Sequence, residues 1–158
     1  MSKQLIIFTF IWALFVQAVL PSNAQEGFVK FVGKKNLKIL LEVAATDEER
    51  QKGLMNRPEL AKDRGMVFVF RPAQQVTFWM KDTLISLDMI FISKGKIVKI
   101  VKNAVPNQTS TLYPSMYPVT EVIEVNGGFS NSNMIKVGDR VVFKDIPQIE
   151  YSVQSMNK

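Results

Sequence analysis

SLDMIFISKGKIVKIV, residues 86–101, carries the pattern that decides the fold. Two runs of β-branched and large apolar residues flank Lys94-Gly95, which reads as a two-residue hairpin turn, although Lys is an unusual first member. That turn sets a register with Ile92 opposite Ile97, Ile90 opposite Lys99 and Asp88 opposite Val101. Side chains alternate along a strand. Leu87, Met89, Phe91, Val98 and Ile100 therefore share one face, and Asp88, Ile90, Ile92, Ile97, Lys99 and Val101 share the other. Both faces are mostly apolar, so the pair is expected in the middle of a sheet covered on both sides. In this register Asp88 and Lys99 are diagonal neighbours within reach of each other.

Further strands are expected on either side of the hairpin. LKILLEV from Leu37 alternates as a half-buried strand, and MVFVF, VTFWMK, VTEVIEV and RVVF follow at short intervals between turn residues. The clearest helical signal is TDEERQKG. Thr46 is an N-cap with Glu49 at capping-box spacing, acids lead, bases follow, and Gly53 stops the turn. Two turns of helix are too short for the crossovers of an α/β fold. Pro58 is placed to start one more helical turn and Gly65 to end it. The expected fold is all-β, a compact antiparallel barrel-like sandwich with one or two short helices. The loop from Asn103 to Pro118 is long, and is read as functional or as a wrap across the barrel.

The first 24 residues read as a signal peptide: Lys3, an apolar run from Leu5 to Val16, and Ser22-Asn23-Ala24 as the cleavage pattern. The run is short of the about 20 apolar residues a membrane span needs. Residues 25–36 are read as a leader with a weak strand around Phe28–Val32, residues 37–145 as a single β-rich domain, and residues 146–158 as a polar tail. Export, periplasmic or secreted, is the expected localisation, with membrane contact only through the signal segment and a monomeric body. The chain has 158 residues, a formal charge of +6, no Cys and no His. Those absences exclude Ser-His-Asp and Cys-His catalysis and an ordinary zinc site. The seven Met residues beyond the signal segment are read as spaced through the strands as core filler, so no metal or cofactor is expected. The bases are scattered and carry no aromatic ladder, which argues against nucleic acid.

The candidate site grows from FWMKDT, residues 78–83. Trp79 is the only Trp beyond the signal segment. Alternation places Val76, Phe78 and Met80 in the core and Trp79 and Lys81 on the opposite face. If that strand lies beside the hairpin, Trp79, Lys81, Asp88 and Lys99 form one cluster, with Lys81 as a partner for Asp88. The ordinary reading is a Trp covering a buried Asp–Lys pair. The functional reading is a pocket with an aromatic wall and a few converging polar groups. Glu124 faces opposite to Ile123 and Val125 before the Asn126-Gly127-Gly128 turn, and its ordinary reading is a solvated or paired carboxylate. Arg57, before Pro58, is read as a helix cap or an anion ligand.

In order, ERQKGLMNRPEL, RGMVFVF, FWMKDT, SLDMIFI, GKIVKIV, EVIEVNGG and KVGDRVVF resemble the domain-of-unknown-function family 192, DUF192, from about Leu37 to Phe143. The family's Gly-Leu-Met-x-Arg is matched by Gly53, Leu54, Met55 and Arg57. Its Trp-Met-Lys-Asn-Thr is matched by Trp79, Met80, Lys81 and Thr83, with Asp82 where Asn is usual. Its Ile-Pro-Leu-Asp is matched by Ile85, Leu87 and Asp88, with Ser86 for Pro, and its Leu-Glu-x-x-x-Gly by Ile123, Glu124 and Gly128. The resemblance implies an all-β, barrel-like sandwich, often exported, and brings no activity with it. The function expected is a non-catalytic module that binds a small polar or anionic ligand, a glycan or a partner protein through Arg57, Trp79, Lys81, Asp88, Lys99 and Glu124. The alternative is a hydrolase of cell-envelope material built on a carboxylate pair such as Asp88 and Glu124.

Overall fold

The computed structural model describes residues 26–35 and 37–146. The expected signal peptide and the tail beyond Ile146 lie outside these residues. Among the described residues the strands are β1 (Glu26–Phe31), β2 (Lys38–Ala44), β3 (Arg64–Gln74), β4 (Thr77–Phe78), β5 (Leu87–Ser93), β6 (Lys96–Ala104), β7 (Tyr113–Pro114), β8 (Val119–Asn126) and β9 (Val141–Lys144). The helices are α1 (Asp47–Lys52) and α2 (Phe129–Ser132). Seven strands form one sheet in the order β6-β5-β8-β3-β2-β1-β9, and β4 pairs with β7 in a separate ribbon. The edges of the large sheet approach each other. Lys96 and Arg140 form a bridge, and the Val141 N–H donates to the Gly95 carbonyl at 2.9 Å. The result is the expected all-β, barrel-like sandwich.

The two faces of the sheet bury different side chains. Val67 and Val69 of β3, Ile90 and Ile92 of β5, and Ile123 and Val125 of β8 point inward with Val29, Ile39, Leu41 and Phe143. The same three strands send Met66, Phe68, Phe70, Met89, Phe91 and Val122 to the outer face. Alternation alone separates a β-branched interior from an aromatic and Met-rich exterior. The outer face is covered by chain outside the sheet, including Leu54, Phe78 and Met80.

That cover follows from one pairing the sequence pattern did not indicate. β2 and β3 run parallel, with Leu41 beside Gly65 and Val43 beside Val67. A parallel pair needs a crossover of a dozen or more residues, and the segment 45–63 supplies it. The crossover carries α1 with its full capping box. The Glu49 N–H donates to the Thr46 hydroxyl at 3.2 Å, and the Thr46 N–H to the Glu49 carboxylate at 2.9 Å. The turn at Pro58 is not helical; the second helix follows Gly128 instead. Gly53 closes α1 at φ +47, where a β-carbon would also meet the Phe68 ring at 3.2 Å.

Three boundaries differ from expectation. The leader strand is an integral member of the sheet, since β1 pairs with both β2 and β9. Ile146, assigned to the polar tail, is 1% exposed in the inner core. In the central hairpin Ile92 pairs with Ile97 as read, but an irregularity between Phe91 and Ile92 then places Phe91 opposite Lys99 and Met89 opposite Val101. That one-residue shift moves Lys99 away from Asp88's face.

Candidate functional site

The strand around Trp79 is shorter than its alternation suggests. β4 ends at Phe78 and pairs with β7, not with β5. The chain then turns, with Asp82 at φ +51 and the Thr83 N–H on the Met80 carbonyl at 3.3 Å. Asn and Asp are the non-glycine residues that best tolerate this region. Met80 is fully buried, as expected, and Trp79 is 47% exposed. The Lys81 ammonium lies 5.4 Å from the Trp79 ring centroid, a cation–π distance.

The cluster of Trp79 and Lys81 with Asp88 and Lys99 does not form. Asp88 is fully buried at one end of the barrel. Its Oδ1 accepts the N–H groups of Asn103 at 2.8 Å and Gly128 at 3.0 Å, and its Oδ2 accepts the Ser130 N–H at 2.8 Å. Asn103 at φ +51 and Gly128 at φ +85 turn these amides toward the carboxylate. Asp88 thus ties the end of β6 to the turn that opens α2. Lys99 instead donates to the Pro114 carbonyl and lies 5.6 Å from the Phe91 ring centroid. Arg57 forms a two-pronged ion pair with Glu42 of β2, and these hydrogen bonds hold the Glu42 carboxyl below its ordinary value. Arg57 pins the crossover to β2 and lines no part of the cleft described next.

A cleft of about 410 Å³ opens between α1 and residues 74–79. Its floor is the outer-face aromatics Phe68 and Phe70, with Phe78 and Trp79 beside them. Phe78 stands edge-on to Phe68 at 5.0 Å and to Phe91 at 5.9 Å between centroids, which fixes its ring. Asp47, Arg50 and Gln51 of α1 and Gln74, Gln75 and Thr77 supply the polar rim. Arg50 is held by the Val69 carbonyl at 2.9 Å, by the Ala45 carbonyl and by Asp47, with its guanidinium 5.3 Å from the Phe70 centroid. It fastens α1 to β3 where β3 loses register with β8.

A second cavity of about 30 Å³ adjoins the cleft and shares Arg50, Gln51, Phe68, Phe78 and Trp79 with it. Glu124 lines this cavity. It lies between Met66 of β3 and Met89 of β5 on the outer face, and it is 5% exposed. Its carboxyl has no hydrogen-bond or ion-pair partner among the described residues. Burial pushes its pKa up to about 8, because the charged form loses its hydration without compensation. The expectation of a solvated or paired Glu124 is therefore corrected. Asp88 and Glu124 point to opposite faces of the sheet, so they cannot flank one scissile bond as a carboxylate pair.

The structure thus brings Trp79 and Glu124 together, sets Lys81 against Trp79, and leaves Arg57, Asp88 and Lys99 outside. Sequence reasoning missed Arg50, which it took only as one of the bases that end the helix signal, and Phe68 and Phe70, which it took only as part of the strand MVFVF. One signal was available. Three stretches that carry the family resemblance converge on the small cavity: Gly53, Leu54 and Met55 from the first, Trp79 and Thr83 from the second, and Glu124 from the last. The substitution at Asp82 is exposed and lines neither cavity.

The chain matches DUF192, described as an uncharacterized ACR, over residues 29–143. No curated protein matches the sequence. Among solved structures it resembles a "putative transcription regulator" from Sinorhizobium meliloti 1021, with a TM-score of 0.72, 33% identity, and coverage of 77% of this chain and 95% of the other. It also resembles a protein of unknown function from Novosphingobium aromaticivorans DSM 12444, with a TM-score of 0.70, 37% identity, and coverage of 79% and 91%.

Proposed function

Because this chain belongs to the DUF192 family, which brings a fold and no activity, we propose from the cleft itself that it is an exported, non-catalytic binding module. Its ligand is a small polar ring compound or glycan seated against Trp79. The observation that carries this reading is a half-exposed Trp beside a floor of Phe rings, with amide and hydroxyl groups around the rim. An indole presents a flat apolar face at low entropic cost. Gln51, Gln74, Gln75 and Thr77 supply orienting donors and acceptors, which is the usual composition of a small-molecule site.

A hydrolase acting on cell-envelope material is less well supported, since Glu124 has no second carboxyl on its own face within the small cavity. A regulator acting on DNA is also less well supported. The described helices have six and four residues, short for an element that enters a major groove. The export reading rests on the first 24 residues.

A thermal-shift screen with sugars, nucleotides and cell-wall fragments tests the reading. A ligand far above its Kd stabilises the folded state by mass action, so a true ligand raises Tm by a few degrees. Trp79→Ala should abolish that rise while folding normally. A rise unchanged in Trp79→Ala sinks the cleft as the site, and a flat panel points to a protein partner.

A further inference from the structure

We infer that the seam where the barrel closes holds a second binding site, for the phosphate group of a phosphomonoester, built on Lys94, Lys96 and Arg140. It shares no lining residue with the Trp79 cleft. The strand register places its side chains. Ser93 of β5 pairs with Lys96 of β6, and Lys96 bridges to Arg140 just before β9. Their neighbours Ile92, Ile97 and Val141 point into the inner core. By alternation Ser93, Lys96 and Arg140 therefore point to the outside. With Lys94 and Gly138 they line an open pocket of about 410 Å³. Bases that are scattered along the sequence meet here because closure of the sheet brings Arg140 to Lys96.

Two features separate this pocket from an ordinary basic surface. Lys96 and Arg140 stand directly opposite each other across the closing edges, where like charges destabilise a strand pair. Lys94 holds φ +49 at the first position of the hairpin turn, where Asn, Asp or Gly is favoured. Each choice costs the fold, and each brings a cation to the same pocket. None of the three forms an ion pair among the described residues. The neighbouring acids are engaged elsewhere. Asp139 accepts the Lys136 N–H at 3.0 Å and lies 4.0 Å from Lys34, and Glu121, opposite Ile92, pairs with Arg71.

The donors select the ligand. The lining side chains offer one guanidinium, two ammonium groups and the Ser93 hydroxyl, and no carboxylate. A carboxylate ligand brings one charge. A phosphomonoester brings nearly two at neutral pH, with three acceptor oxygens, and so matches three cations better. Arg takes it through two parallel N–H groups and Lys as a point charge. At about 410 Å³ the pocket is within the range of small-molecule sites, about 300–1,000 Å³, so it admits the carbons that carry the phosphate. A soluble ester and a lipid headgroup share this chemistry.

The test exposes the full chain to glycerol phosphate, and to phosphatidylcholine vesicles with and without phosphatidic acid, the diacyl form of the same ester. Thermal unfolding in glycerol phosphate, against sodium chloride at equal ionic strength, should show Tm rising by a few degrees once the ligand is well above its Kd. Lys96→Glu should abolish that rise. It should also raise Tm in chloride alone, because it turns the like-charge pair opposite Arg140 into an ion pair, so the lost binding is not a lost fold. Arg140→Gln should weaken binding about tenfold. Trp79→Ala should respond as the wild type does, which keeps this site separate from the cleft. A response to glycerol phosphate supports the site with a soluble ester as its ligand. Sedimentation with phosphatidic acid vesicles alone, lost in Lys96→Glu, supports it with a headgroup. The inference is overturned if neither probe binds, if Lys96→Glu binds as well as the wild type, or if Lys96→Glu melts lower than the wild type in chloride.

Discussion

Asp88 and Glu124 are two buried carboxyls on neighbouring strands of one sheet, and they have opposite fates. Asp88, inside the barrel end, accepts three backbone N–H groups and holds a bulge and a turn in place. Glu124, on the outer face, accepts none and borders a cavity. Burial alone does not mark a functional acid. The distinguishing feature is whether the protein itself supplies the partners. A fully partnered carboxylate contributes to structure, whereas an orphaned one that borders a cavity is left to water or a ligand.

The comparison is broken most severely by removing the partnered acid. Asp88→Ala strands three buried amides, one of them on Gly128 at the start of α2. Hydrogen bonds to a charged group contribute about 1.5–3 kcal/mol each and do not add fully. The expected loss is about 4 kcal/mol in urea unfolding, with added disorder around residues 103 and 127–130. A loss under about 1 kcal/mol would mean that water replaces the carboxylate and that Asp88 is not the tie described.

Removing the charge from the orphan should act in the other direction. Between the ordinary glutamate value of 4.5 and the raised value of about 8, only the folded chain keeps the proton on Glu124. Proton binding therefore favours folding below this window, and the advantage is lost as pH rises through it. Wild-type stability should fall by about 3 kcal/mol between about pH 5 and about pH 7.5, at about 1.4 kcal/mol per pH unit. Glu124→Gln carries no titrating proton and should largely lose this slope, becoming the more stable protein at high pH. Parallel curves for the two proteins would show that the carboxyl finds a partner or water in solution.

The contrast between the two acids also marks how far residue patterns reach. Strand positions and the two buried faces were legible because period-two alternation reports burial directly. So was α1, whose capping box is a local signal in Thr46 and Glu49. Trp79 was legible as a candidate through its rarity and its place opposite Met80, and it lines the cleft. Asp88 was misassigned to Lys81 and Lys99 because its real partners are backbone amides, which have no residue-type signature. Lys99 was misplaced by a bulge that the hairpin turn does not announce. The parallel β2–β3 pair is a long-range choice, and it brings Arg50 over Phe70 to complete the cleft. Glu124, in VIEV before a turn, was read as solvated or paired, because a carboxylate's residue type reports neither its depth nor its lack of a partner.

A third carboxyl sharpens the comparison with the smallest effect. Glu42 is partly buried and takes both prongs of the Arg57 guanidinium. Its carboxyl is held below the ordinary value, chiefly by those hydrogen bonds. The sign is therefore opposite to that of Glu124. The contribution is present above the ordinary carboxylate value and is lost as pH falls and Glu42 takes up its proton. Both partners retain some exposure to water, so the pair contributes only about 1 kcal/mol. Arg57→Ala should cost that much at neutral pH and progressively less as pH falls below the ordinary carboxylate value of 4.5, without changing ligand binding in the cleft. The same substitution in a Glu124→Gln background should leave a protein whose stability varies little with pH through these two groups. If Arg57→Ala instead abolishes ligand binding, the ion pair is also a support for the crossover that carries α1, and the boundary between structural and cavity-lining carboxyls runs through the crossover rather than through the sheet.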